Sequence, residues 1–171
     1  SRTTGYDGHS LRAFAYFGSQ MPDIVDTVDS INSIQELYPV FRQESKAPTF
    51  ALTYQGTYFT LMANCGFSEE KAKSVEQRYH ELYFVSDQWV DKKLEQATKD
   101  GYITAAFGLR IRTPLLGKVV WGTSNMPYEA KAEGRTAGNA LGQSWCLLNN
   151  RAANEFMERV WNSPYADVIK P

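Results

Sequence analysis

Arg42-Gln43-Glu44-Ser45-Lys46-Ala47-Pro48-Thr49-Phe50-Ala51-Leu52-Thr53-Tyr54 sets an arginine, a lysine and two aromatic residues at intervals of four. On an α-helix each such step turns the chain by about 400°, so Arg42, Lys46, Phe50 and Tyr54 form one slowly drifting stripe about 18 Å long. Two cations suit phosphates, arginine through its planar fork and lysine as a point charge. The aromatic faces beyond them suit a sugar and a base, so the stripe can serve as a one-sided receptor for a nucleoside triphosphate. An amphipathic helix with a wet end and a core end displays the same pattern, and the residues alone leave both readings open. Pro48 is the flaw in the stretch: it removes an amide donor and costs about 3 kcal/mol inside a regular helix. It points roughly opposite Lys46, which leaves the cationic face intact.

Working outward, residues 7–18 carry Leu11, Phe14, Ala15 and Phe17 at helical spacing, with Asp7 to cap the helix and Gly18 to end it. A second helix is expected over 21–37, broken near Asp29-Ser30. The stripe itself lies on a helix over 40–54, and a short helix follows over 58–64. Ser68 caps the next, with Glu69 and Glu70 in its first turn, running to about Leu82. Ser86 or Asp87 caps another that ends near Gly101. The pattern then changes: 102–106 and 110–113 are strand-forming runs flanking Phe107-Gly108-Leu109, which predicts a β-hairpin. A loop with Gly117 and Gly122 leads into one long helix over 127–161. The class is mainly α with a small hairpin near 102–113, organised as a helical region over 1–100 and a hairpin-plus-helix region over 101–171.

Two further constellations carry polar chemistry. Asp7-Gly8-His9-Ser10 puts a histidine in the first turn of a helix, where it can donate to phosphate and gain a proton near neutral pH. A capping aspartate beside an exposed histidine explains the same residues. Arg135, Asn139 and Gln143 again repeat every four positions, alongside Gly134, Gly138 and Gly142. Helical glycines cost up to ~1 kcal/mol each and leave a bare face that something bulky can approach. Asn and Gln beside that face suit the acceptor-rich minor groove of DNA; tight helix packing on the glycines is the competing reading. Arg110 and Arg112, two apart, share one face of a strand, either against phosphates or in solvent. His80 has no partner pattern and reads as structural.

Composition bounds these readings. The 171 residues carry a net charge of −1, with 43% hydrophobic and 13% aromatic side chains. A stand-alone nucleic-acid-binding domain is usually basic. Here the basic residues are concentrated: residues 101–136 hold five (Arg110, Arg112, Lys118, Lys131, Arg135) against Glu129 and Glu133, and a local positive patch can hold phosphates. Asp23, Asp26 and Asp29 read as a solvated acidic helix face. Cys65 and Cys146 are the only cysteines, too few for a disulfide framework or a zinc motif. A reduced, cytoplasmic setting is expected, with no membrane span and no secretion signal in Ser1-Arg2-Thr3-Thr4. Without an initiator Met, the chain reads as an excised piece.

In their order and spacing these motifs resemble family A (polymerase I-type) DNA polymerases over nearly the whole chain. Arg42-x3-Lys46-x3-Phe50-x3-Tyr54 resembles motif B, the O helix of the fingers subdomain. The resemblance implies that Arg42 and Lys46 contact the incoming triphosphate, Phe50 packs on its sugar and Tyr54 sits where the template base arrives. Phe50, rather than Tyr, implies discrimination against dideoxynucleotides. Asp7-x-His9-Ser10 resembles the family's Asp-x-His-Thr segment, which implies a triphosphate contact for His9. Gly101-Tyr102-Ile103-Thr104, Gly108-x-Arg110-x-Arg112-x-Pro114 and Arg135-x3-Asn139-x3-Gln143 resemble the elements that grip primer–template DNA. Departures are Gln55 between Tyr54 and Gly56, and Leu141 and Ser144 where the family has Pro and Gly.

The family's chemistry needs two metal ions held by carboxylates. The resemblance places those ligands for Mg²⁺ outside this chain, before Asp7 and beyond Val168-Ile169-Lys170-Pro171. It implies a fragment that binds dNTP and part of the primer–template, is inactive alone, and partners the palm and thumb of its parent. The wording resembles the tailed-phage branch, of T-odd (T-five-like) type, which implies the cytoplasm of a bacterial host. Competing classes are a stand-alone nucleic-acid-binding module, a helical protein-interaction scaffold and a single-subunit RNA polymerase; Phe50 and the Arg135–Gln143 element favour DNA polymerase over the last.

Overall fold

The computed structural model describes residues 5–169, apart from the side chain of Trp145. Ser1–Thr4 and the closing Lys170-Pro171, which bear on the expected chain ends, lie outside the described residues. The described chain is mainly α-helical with one two-stranded antiparallel sheet, as the sequence predicts. It divides into two compact units, 1–89 and 90–171.

In the first unit α1 (Gly8–Phe17) starts at Asp7, whose carboxylate accepts from the Ser10 amide at 2.9 Å. It buries Ala13, Tyr16 and Phe17. The helix predicted from Met21 begins only at Val28: α2 spans Val28–Leu37, with Thr27 as its cap. Thr27 supplies an oxygen for the Ser30 amide, and Asp29 falls in the first turn, so the polar run near Asp29-Ser30 starts this helix instead of interrupting one. Asp23 and Asp26 therefore sit in turns, not on a helix face, and Asp23 accepts a hydrogen bond from the Tyr38 hydroxyl.

The single helix expected over 40–54 is two, α3 (Pro39–Glu44) and α4 (Lys46–Thr53). Pro48 is the cause. As third residue of α4 it occupies a position whose amide has no partner within that helix, so restarting the helix at Lys46 removes most of the cost of the missing donor. Ser45 stitches the joint: its hydroxyl is buried and donates to the Arg42 carbonyl at 2.9 Å.

The C-terminal end of α4 accounts for Gln55. The Gly56 amide reaches the Ala51 carbonyl (2.9 Å) and the Gln55 amide the Leu52 carbonyl (3.0 Å), the two bonds of a Schellman closure. Gln55 takes the left-handed position at φ 65°, while a Cβ on Gly56 would lie 2.6 Å from the Ala51 oxygen. The glycine is thus held by close approach, and the left-handed strain falls on glutamine.

Helices α5 (Tyr58–Cys65) and α6 (Glu69–Leu82) complete this unit, α6 capped by Ser68 as expected. Its core centres on Phe17, Met21, Ile31, Ile34, Leu61 and Val75, each at most 1% exposed. Helix α7 (Phe84–Asp100) starts two residues before its expected cap, with Asp87 in its first turn. There Asp87 meets His80, Nδ1 to Oδ2 at 2.7 Å, so His80 does have a partner.

In the second unit β1 (Tyr102–Thr104) and β2 (Arg110–Arg112) pair as Tyr102↔Arg112, Ile103↔Ile111 and Thr104↔Arg110. Ile103 faces a core with Leu94, Ala97, Leu116, Ala137 and Leu141. Instead of one helix over 127–161 there are α8 (Tyr128–Gly142) and α9 (Ser144–Trp161), parted at Gln143. Gly142 is a weak helix former, and the Ser144 hydroxyl donates back to the Ala140 carbonyl, a bond that bends helices. Among the described residues no helix is long and apolar enough to cross a membrane.

Candidate functional site

The helix break falls inside the stripe. Arg42 lies in the last turn of α3, Lys46 opens α4, Phe50 is half exposed at 51%, and Tyr54 caps α4. Arg42 reaches Asp7 at the cap of α1, and Arg42 and Lys46 both act by charge on His9. The Ser45 hydroxyl also approaches the His9 carbonyl at 3.2 Å.

Arg42 is already engaged. Its Nε donates to Asp7 Oδ2 at 2.8 Å and its Nη2 to Oδ1 at 3.2 Å, a bidentate pair. Asp7 thus has two tasks, capping α1 and holding the Arg42 fork. Its amide donates to Asn32 Oδ1 at 2.7 Å, tying the pair to α2. The Arg42 bond, more than any other contact, holds the Asp7 carboxyl well below its ordinary value of 3.8. Lys46 Nζ donates to Gln43 Oε1 at 2.8 Å.

His9 is pulled below its ordinary 6.5, first by burial and then by the charges of Arg12, Lys46 and Arg42, with Asp7 opposing. Arg12 contacts the ring directly, Lys46 and Arg42 act on it by charge, and the one opposing carboxylate is engaged by Arg42 and Ser10. Such a cluster attracts an anion with several charges. Arg12 was missed at the sequence level. Its spacing of three from His9 on α1 was visible, but its other anchor, Tyr83, is 71 residues away.

In the second unit Arg110 and Arg112 are exposed on the hairpin face opposite buried Ile103. Arg110 lies over the Tyr102 ring, 4.6 Å from its centroid. On α8, Arg135 is exposed and lies 5.7 Å from the Tyr128 ring centroid. Gln143 Nε2 donates to Asn139 Oδ1 at 2.6 Å, so these two amides share one face. At Gly134 the packing reading prevails: a Cβ there would lie 2.3 Å from Trp121 Cζ3. Trp121 covers the glycine, while the Arg135–Asn139–Gln143 edge remains on the helix surface. The loop before α8 is clasped by Glu133, whose Oε2 accepts from the amides of Leu115 (2.8 Å) and Leu116 (2.6 Å). Among the described residues no group of three or more His, Cys, Asp or Glu converges as a metal cage would require.

The described chain thus carries a cationic cluster in one unit and an arginine- and amide-bearing face in the other. The profile of DNA polymerase family A matches residues 20–146, most of the chain, and the chain belongs to that family. It is 33% identical over 138 residues to DNA polymerase I of Mycobacterium leprae, which covers 80% of this chain and 13% of that protein. To DNA polymerase I of Streptococcus pneumoniae it is 28% identical over 110 residues, 64% of this chain and 11% of that one. Among solved structures it resembles the POL domain of Pol1 from M. smegmatis in complex with DNA primer-template and dNTP. The TM-score is 0.57 at 27% identity, over 82% of this chain and 22% of that one. The chain thus spans only 11–13% of the length of these curated relatives. Asp7 and His9 lie ahead of the residues the family profile matches.

Proposed function

We propose that this chain supplies the fingers subdomain and adjoining palm segments of a template-directed DNA polymerase, and that its first unit receives the incoming dNTP. The carrying observation is the cationic cap of α1: Arg12 Nη1 lies 3.1 Å from His9 Nδ1, Arg42 grips the adjacent Asp7, and Ser45, next to Lys46, bonds the His9 carbonyl. In this reading Arg42, Lys46 and His9 meet the triphosphate, exposed Phe50 meets the sugar, and Tyr54 lies at the template base. The triphosphate competes with Asp7 for the Arg42 fork, an exchange of one anion for another. Arg110, Arg112, Arg135, Asn139 and Gln143 contact primer–template DNA, the arginines through phosphates and the amides through the minor groove. The helical fingers region covers 1–100 and the hairpin and second helical region 101–171. The Mg²⁺ ligands belong to the rest of the polymerase, with its palm and thumb, and no catalytic step is assigned to residues of this chain. A tailed phage of T-odd (T-five-like) type, replicating in bacterial cytoplasm, is the proposed source.

The test is an NMR titration of the 171-residue chain with a dNTP, without and then with Mg²⁺, repeated on Lys46→Ala. Shifts clustered at His9, Arg42, Lys46 and Phe50 in the parent, weakened about tenfold in the variant, are expected, since a charged hydrogen bond is worth about 1.5 kcal/mol or more. A folded chain whose stripe does not respond, or responds equally in the variant, would refute this placement of the nucleotide.

A further inference from the structure

We infer that Arg12 is a positioning residue that locks His9 in a single tautomer, so that the ring offers its Nε2–H as a directed donor to a phosphate oxygen. The inference rests on the nucleotide reading above and adds a residue and a protonation state to it. Arg12 Nη1 lies 3.1 Å from His9 Nδ1, one turn back along α1. A guanidinium can only donate, so Nδ1 must accept and the ring proton must reside on Nε2. Arg12 is itself held from the far side: its Nε donates to the Tyr83 hydroxyl at 2.6 Å, and its guanidinium lies 5.9 Å from the Tyr83 ring centroid.

The lock also sets the charge of the ring. Protonating His9 would place an N–H on Nδ1 facing the N–H of Arg12, two donors without an acceptor. The groups acting on the ring are Arg12 on its own helix, Asp7 at the cap, Arg42 at the end of α3 and Lys46 at the start of α4. The Asp7 oxygens accept from Arg42 and Ser10. His9 therefore works as a neutral donor: Arg42 and Lys46 meet the phosphate charge, and His9 supplies direction. The general expectation that this histidine gains a proton near neutral pH is replaced by the opposite state.

Long-range proton–nitrogen spectra of the 171-residue chain with ¹⁵N-labelled histidine read the tautomer directly, on the parent, Arg12→Ala and Arg12→Gln at pH 7.5. Glutamine removes the charge and keeps an N–H donor, beside an amide oxygen that can itself accept. The parent should show His9 protonated on Nε2 alone, and Arg12→Ala a mixture of tautomers with a higher His9 pKa, with Arg12→Gln between the two. Affinity for dTTP should fall about three- to tenfold in Arg12→Ala and recover in Arg12→Gln in step with its Nε2-protonated fraction. A parent His9 protonated on Nδ1, or an Arg12→Ala variant with unchanged tautomer and affinity, would overturn the inference. Arg12→Gln that keeps the tautomer but binds as poorly as Arg12→Ala would also overturn it, since Arg12 would then act by charge. A lock that behaves as described in a chain that takes up no dTTP would sustain the lock and refute the nucleotide reading alone.

Discussion

The two units hold their polar faces by different means. In the first, charged side chains make the hydrogen bonds: Asp7 grips Arg42 bidentately, and the Arg12 guanidinium bridges His9 and Tyr83. In the second, close packing does much of the holding: Trp121 lies on bare Gly134, while Glu133 clasps two loop amides. A face held by ion pairs can exchange one anion for another at little structural cost, whereas a face held by close packing keeps its geometry whatever approaches. The first arrangement suits a ligand that comes and goes, and the second suits a fixed surface along which a polymer lies.

The largest effect should break the packed side. Gly134→Val places two methyl groups where the Trp121 ring lies, and overpacking of this kind costs about 1–3 kcal/mol. Urea unfolding should show that loss with little dependence on salt, because no charge is involved. An unchanged midpoint would mean that Trp121 moves aside freely and that shape does not hold this face.

A smaller, pH-dependent effect should mark the charged side. The Asp7 carboxyl is lowered in the folded protein, chiefly by Arg42, so its contribution is complete above the unfolded value near 3.8 and is lost as pH falls through the folded one. Asp7→Asn keeps the cap and removes the charge. Thermal melts from pH 6 to pH 2 should show the parent ahead by at most about 1 kcal/mol at pH 6, as expected for a solvent-accessible pair. The gap should shrink steadily below pH 4 and narrow in high salt. A gap independent of pH would assign the contribution to the cap alone.

The smallest effect sharpens the comparison at the joint between stripe and loop. Gln55 bears a left-handed backbone at φ 65° that costs a non-glycine residue about 1 kcal/mol. Gln55→Gly should therefore stabilise the chain by roughly 0.5 kcal/mol once the greater freedom of unfolded glycine is subtracted. A drop in melting temperature would show that the Gln55 side chain contributes more than its backbone costs.

Much of this molecule was legible because its signals are local. Asp7 and Ser68 announce helix starts, the strand-forming runs around Phe107-Gly108 announce a hairpin, and residues four apart share a face wherever the helix is continuous. The breaks were less legible. Pro48 was visible as a flaw, but its resolution as a new helix at Lys46 depended on buried Ser45 finding acceptors on Arg42 and His9. Gln143 gave no warning, since Gly142 and Ser144 are each tolerable within a helix.

The sequence by itself determined the helical class and the spacing of Arg42, Lys46, Phe50 and Tyr54, because periodicity is written in neighbouring residues, and the family through the resemblance of its ordered motifs. Only the tertiary structure decided what each side chain meets. Asp7 finds Arg42 across 35 residues and Arg12 finds Tyr83 across 71, while Trp121 settles on Gly134 and takes that glycine for packing. Those pairings follow from how helices dock, and docking is set by the summed burial of many apolar side chains that no short motif encodes.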